Sequence, residues 1–343
     1  MTTRLALRAA TLAAAAALAL TAGTTTSSAV PRTDGLALLP GGTSGFAFDV
    51  NNKGSVVGHA NDATGVNRAV LWDARGTVTD LGTLPGDTSA TAYTINDRGT
   101  VVVGRSLIPG GAQRPVRWTP DGTPTELPTP AGTTVSRAYS VNDSGVAVGF
   151  STGADGLYKA LRWSPGCALS QLPALPGDPA AGAGWINNRG TVAGYSKNAA
   201  GAMSAVLWNA DGAVRKLAGL SGHDSYQASA VSDTGTAVGN SYTGTTSHAV
   251  RWSPAGAPVE LAPLPGDTGA AAYGVNDAGV VIGFSADAAG GHRAVKWDAN
   301  GTPSALPGLT AGSAEAFGVN DWGTVVGFST GTGGATLPTQ WKG

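Results

Sequence analysis

Apolar positions in this chain come in short blocks rather than in helical stripes. Between residues 267 and 311 four blocks follow one another, AAAYGV at 270–275, VVIGFS at 280–285, RAVKW at 293–297 and PSALPGL at 303–309, separated by clusters rich in Gly, Asn, Asp and Ala. A block of this length fits a β-strand, and none keeps a helical period over the ten or more residues a helix wants. Alternation inside the blocks is weak, as expected of a sheet covered on both faces. The four-block phrase recurs, and a Trp closes its third block at Trp72, Trp118, Trp163, Trp208, Trp252, Trp297 and Trp341, at spacings of 44 to 46 residues. Four short strands cannot bury a core alone, so the period predicts copies of one small sheet stacked against each other.

The polar clusters carry turn chemistry. After each first block stands N-D-x-G or a close variant, from NNKG at 51–54 to NDWG at 320–323. Asn or Ser at the first position accepts from the turn backbone and Gly at the fourth takes a left-handed conformation, which predicts a tight antiparallel hairpin. A second set, such as DARG at 73–76 and DANG at 298–301, follows each Trp except the last. In the third copy SPGC at 164–167 moves the Gly forward, which predicts a type II Pro-Gly turn with Cys167 exposed. The fourth block runs into L-x-x-L-P-G, whose proline suits an outer edge strand. That block is missing from the last copy, and its counterpart, LALLPG, stands at 36–41 ahead of the first. The expectation is an all-β fold, a seven-bladed β-propeller of four-stranded antiparallel blades whose last blade is closed by the N-terminal strand. An open β-array is the alternative.

Composition changes the picture at the N-terminus. Arg4 and Arg8 precede an apolar Ala/Leu run at 9–22, and small residues end at Ala29. This predicts a signal peptide at 1–29, a single repeat domain at 30–343 and a secreted, extracellular product. With 21 Lys and Arg against 22 Asp and Glu, a net charge of −1, neither nucleic acid nor an anionic membrane is expected as a partner. Cys167 is the single cysteine, so an internal disulfide is excluded.

The cycle L-x-x-L-P-G, then A-Y-x-V-N-D-x-G-x-V-V-G-x-S, then H-A-V-x-W resembles the HAF-type extracellular repeat family of exported bacterial proteins. The likeness covers nearly all of 30–343, although only His248-Ala249-Val250 keeps the His and Val stands where the family has Phe. It implies secretion and a propeller-like fold, and brings no catalytic residues with it.

Candidate chemistry is sparse. The loops before the third blocks, such as 61–67, 106–113, 151–158 and 285–292, are the long and variable ones, so binding is expected on their face. Asp87, Asp178 and Asp267 follow the P-G of the crossover, while Arg68, Arg114, Lys159, His248 and Arg293 begin the third blocks. Surface ion pairs and Asp-capped turns are one reading of them, and a ligand-binding rim the other. Arg137 and Glu315 hold equivalent positions at the start of first blocks, where a propeller would place them at the channel mouth. The spacing of His59, His223, His248 and His292 suits no metal, and no cofactor motif or Ser/His/Asp constellation stands out. The main expectation is therefore a monomeric, non-enzymatic binding or scaffold protein for an extracellular protein or polysaccharide. One alternative is a carbohydrate-active hydrolase or lyase using Glu315 and Arg137, and another a purely structural repeat protein.

Overall fold

A computed structural model describes residues 32–342, and the candidate signal peptide lies outside them. Apart from a short 3-10 helix at Thr332–Gly334, the described elements are β-strands. They pair antiparallel in sets of four. In the sixth repeat the set is Gly269–Val275, Val281–Ala286, His292–Trp297 and Pro303–Ala305, and the same order recurs at 45–80, 180–216 and 225–261. The sets at 89–126 and 133–171 belong to one eight-stranded sheet, joined through a single parallel pair, Val135 with Gln113. In the last sheet Ala314–Val319, Val325–Thr330 and Thr336–Lys342 gain a fourth strand, Arg32–Gly35, which pairs antiparallel with Thr336–Lys342.

That outer strand lies just before the segment expected to supply it. Residues 36–41 form the connection to the next sheet, with only the Leu36 N–H still reaching Pro338 O at 2.8 Å. The prolines of L-x-x-L-P-G likewise fall after the short outer strands have ended, so they fit a crossover rather than a strand edge. The Ala- and Gly-rich first strands contact one another in succession, and Gly45–Val50 touches both Ser89–Ile95 and Ala314–Val319. They are the inner strands.

The seven Trp residues are at most 1% exposed. Six of them donate their indole N–H to a crossover carbonyl at 2.6–2.7 Å: Ala37, Pro128, Pro173, Ala218, Ala262 and Pro307. Each indole thus fills the interior and pins the chain entering its own sheet, satisfying a donor that would be costly to bury unpaired. Trp118 is the exception, its Nε1 buried without a partner. The equivalent crossover residue is Gly82, whose φ of +72° none of the Ala or Pro counterparts adopts, so its carbonyl is turned from the position the other six hold.

The N-D-x-G turns knit neighbouring sheets together. The side-chain amide of Asn51 donates to Asn96 O at 3.2 Å, Asn142 to Asn187 O, Asn187 to Ser232 O, Asn276 to Asn320 O, and Asn320 back to Asn51 O at 3.1 Å. One turn departs from expectation. Cys167 occupies the position that Gly holds in the equivalent turns, with φ +63° and its N–H bonded to Ser164 O, and it is half-buried against the core around Leu161 and Trp163. The Ser164 side chain, which accepts the Ala168 N–H, helps hold this left-handed residue in place of a type II turn.

Candidate active site

Each of the seven inner strands carries a β-bulge at the same place, from Ala47/Asp49 in the first to Ala316/Gly318 in the last. A bulge re-aims the extra side chain. Here that residue is Phe48, Tyr93, Tyr139, Tyr273 or Phe317, with Gly184 and Ser229 in the other two repeats. The rings meet: Phe48 lies 5.6 Å from Tyr93 and 5.5 Å from Phe317, Tyr93 5.1 Å from Tyr139, and Tyr273 5.5 Å from Phe317. Two residues earlier stand Phe46, Thr91, Arg137, Gly182, Gln227, Ala271 and Glu315. Paired with them on the second strands are His59, Arg105, Phe150, Tyr195, Asn240, Phe284 and Phe328. Glu315 is the single carboxylate of these two rows, and Arg105 and Arg137 are the guanidiniums.

At the seam between the sixth and seventh repeats, Glu315 accepts from His292. The Glu315 Oε1 to His292 Nδ1 distance is 2.7 Å, with the carboxylate side chain 14% exposed and the imidazole 34%. Phe284 stacks on the imidazole with centroids 4.0 Å apart and planes within 16°. Tyr273 is buried beside Glu315, and burial, then the neighbouring carboxylate, push its pKa above the ordinary phenol value. With Nδ1–H committed to Glu315, the Nε2 of a neutral His292 keeps its lone pair. The Gly of V-V-G supports this arrangement, because a Cβ on Gly327 would collide with the Glu315 carbonyl oxygen.

The same positions pair at the seam between the second and third repeats. Arg137 Nε donates to Gln113 Oε1 at 2.6 Å and its Nη1 to the Tyr139 hydroxyl at 3.1 Å. The guanidinium lies 5.8 Å from the centre of the Phe150 ring, which packs 4.9 Å from Tyr158. Arg105 stands nearby, since both guanidiniums act on buried Tyr93, whose pKa is raised by burial against their pull. Beside them His59 lies between Phe46 and Phe48, its Nδ1 unpartnered. Burial, then Arg105, lower its pKa to about 4, so it is neutral at pH 7. Arg137 and Glu315 thus share a position in the repeat, but each is held by its own partners rather than by the other.

The remaining expected residues lie further out. Arg114 grips Asp87 with two bonds, 2.6 Å and 3.2 Å, and Arg293 grips Asp267 likewise at 2.6 Å and 3.1 Å. Both carboxylates are almost fully buried, so these pairs fasten crossovers to third strands. Asp178 accepts from the Ser196 hydroxyl at 2.7 Å. His248 sits between Glu260 at 2.8 Å and Thr243 at 2.6 Å in a more exposed cluster. At the N-D-x-G end is a cavity of about 100 Å³ lined by Asp97, Asp143, Asp233, Asp277 and Asp321. Each of these carboxylates accepts a backbone N–H from the neighbouring turn at 2.7–3.0 Å, which makes them joints between sheets. His292 and Tyr273 escaped sequence reasoning. A signal for His292 existed: five residues before each Trp stand Asn67, Gln113, Tyr158, Met203, Ser247, His292 and Thr336, the row that faces the next repeat's inner strand.

No family model matches the chain, and no curated protein does. Solved structures do. Virginiamycin B lyase from Staphylococcus aureus is 14% identical with a TM-score of 0.59, over 91% of this chain and 98% of that one. Oligogalacturonate lyase from Vibrio parahaemolyticus is 12% identical with a TM-score of 0.61, over 91% and 97%. An oligogalacturonate lyase in complex with manganese is 14% identical with a TM-score of 0.58, over 86% and 88%. At such identity the likeness establishes a propeller-like fold alone. Manganese does not fit this chain's site, because among the described residues no three His, Cys, Asp or Glu side chains are placed to hold an ion. The expectation of a non-enzymatic binding or scaffold protein, however, is corrected. These three solved structures, each sharing the fold over most of the chain, are lyases, and the expectation rested on a lack of convergent groups, whereas His292 and Glu315 are paired and Tyr273 lies beside them.

Proposed function

We propose that this protein is a glycan lyase working at the His292–Glu315 pair. The observation that carries the reading is one imidazole, held at Nδ1 by a carboxylate 2.7 Å away and stacked on Phe284, on a fold shared with lyases. Glu315 fixes the tautomer and stabilises the imidazolium, which leaves Nε2 to act as general base. In the elimination, Nε2 takes a proton from the carbon beside the substrate's carboxyl or carbonyl group. The C–H electrons become a C=C bond, and the C–O bond to the departing sugar breaks with its electron pair on oxygen. The imidazolium returns its proton to that oxygen, and no water is consumed. Hydrolysis by paired carboxylates fits less well, since Glu315 is alone in the two inner rows.

The reading takes the sheets as seven blades closed in a ring, with Arg32–Gly35 as the outer strand of the last blade, and the chain as exported. Kinship with HAF-type repeat proteins rests on the N-D-x-G-x-V-V-G core. The test is a screen of extracellular polysaccharides for the ultraviolet absorbance of an unsaturated product. His292→Gln and Glu315→Gln should each lower kcat/KM by roughly 100-fold or more at unchanged Tm. New reducing ends without unsaturation would mean hydrolysis, and turnover indifferent to both changes would remove the proposed base. Deleting residues 32–35 should lower Tm by about 5–10 °C if that strand closes the ring.

A further inference from the structure

We infer that Arg105 and Arg137 form a subsite for the carboxylate of an acidic sugar, so that the substrate is an anionic glycan. This rests on the glycan-lyase reading for the reaction but on separate residues for the binding. Most other arginines fall into two groups. Some are held by carboxylates, as Arg68, Arg114 and Arg293 are. Others cap turn carbonyls, as Arg117, Arg162, Arg215 and Arg251 do. Arg137 belongs to neither group. Its partners are the neutral oxygens of Gln113 and Tyr139, and it lies over an aromatic ring. Arg105, in the same inner row as His59 and Phe150, has no hydrogen-bond or ion-pair partner among the described residues, and its charge bears on the same Tyr93 as that of Arg137.

Two partly buried like charges without a counter-ion are unfavourable unless an anion joins them. An arginine fork matches a carboxylate's two oxygens, and the adjoining rings offer flat apolar faces to a sugar. The ring series continues outward from Arg137 through Phe150 to Tyr158, which lies 6.3 Å from Tyr195. Tyr158 also borders a groove of about 280 Å³ to which Lys197 adds another positive charge. A chain of acidic sugars laid from that groove to the inner strands would meet a cation at each end of this path.

The experiment is calorimetric titration of the protein with an oligogalacturonate, a sulfated dextran fragment and a neutral dextran fragment of equal length, at low and high salt. The oligogalacturonate should bind most tightly, at least about 10-fold better than the neutral fragment, and weaken with salt. Arg105→Gln and Arg137→Gln should each weaken it by roughly 10- to 100-fold without lowering Tm. Arg137→Lys, which keeps the charge but loses the fork, should fall between. Arg75→Gln, at an exposed turn away from both sites, should bind as the parent does. Equal binding of the neutral fragment, tighter binding of the sulfated one, or arginine variants that bind as the parent would overturn the inference. If charge-selective binding holds while no glycan is cleaved, the lyase reading fails alone. If cleavage continues in the arginine variants with unchanged KM, the subsite fails alone.

Discussion

Two seams between repeats are built from the same two positions and do opposite things. Between the sixth and seventh repeats, the third strand offers His292 and the next inner strand Glu315, 2.7 Å apart. Between the second and third, the same places hold Gln113 and Arg137, 2.6 Å apart. Both pairs join a third strand to the next inner strand, but among the described residues only the second seam adds a parallel backbone pair, Val135 with Gln113. A carboxylate orients the imidazole of the first pair. A neutral amide leaves the second a guanidinium with no carboxylate partner. At the other seams the equivalent positions hold Asn67 and Thr91, Tyr158 and Gly182, Met203 and Gln227, Ser247 and Ala271, and Thr336 and Phe46, and none of these combines an acid with a base. A repeating scaffold thus supplies one pairing geometry many times, and substitution at two positions decides what each copy does.

The strongest way to break the comparison is to make the seams alike. His292→Gln combined with Glu315→Arg should abolish glycan cleavage, a loss of roughly 1,000-fold or more, while the Tm stays within a few degrees, since the second seam already tolerates that pair. A collapse of Tm would instead mean that the seams are not interchangeable. A smaller change is Tyr273→Phe, which removes the phenol beside Glu315. It should lower kcat about 10-fold and leave KM and the Tm nearly unchanged, and steady-state kinetics beside a melting curve check it.

A third prediction concerns the joint between inner strands. Asp49 accepts the Ile95 N–H at 3.1 Å, where neutral Ser140 accepts the Ile186 N–H at 3.2 Å. Burial raises the Asp49 pKa from 3.8 to about 7, so the folded chain holds this proton more tightly than the unfolded chain. The stability that follows is fully present below about pH 4 and is lost as pH rises through about 7. Asp49→Asn keeps the acceptor and removes the titration. Its Tm should exceed the parent's at pH 8, and the gap should close toward pH 4, as a melting series across pH will show. The smallest effect lies beside Gln113, on the strand that ends at Trp118. Gly82→Ala puts a Cβ on a left-handed residue and should lower Tm by about 1–3 °C. A raised value in calorimetry would mean that the crossover had turned its carbonyl to the unpaired indole N–H.

Much of the fold was legible in the residues. The Trp period and the N-D-x-G turns predicted four-stranded antiparallel units. Both are local signals, because a hairpin is specified by the few residues that make it. The outer strand at Arg32–Gly35 was missed by a few positions since RTDG carries no apolar pattern, its pairing being set by the backbone of Thr336–Lys342. Cys167 was misread because a Pro-Gly pair usually fixes the turn, whereas here the Ser164 side chain and the paired strands hold Cys167 left-handed. Glu315 and Arg137 stood out as candidates by their register alone. Their partners did not, since His292 looked like one polar residue in a variable loop.

The sequence by itself determined the local grammar: strand, turn, strand, and the Trp that each sheet buries. Tertiary structure decided which residues meet across the seams. His292 and Glu315 are separated by an outer strand and a crossover, so nothing local couples them. Only the packing of one sheet's third strand against the next sheet's inner strand brings an imidazole within hydrogen-bond reach of a carboxylate, and leaves two arginines without one.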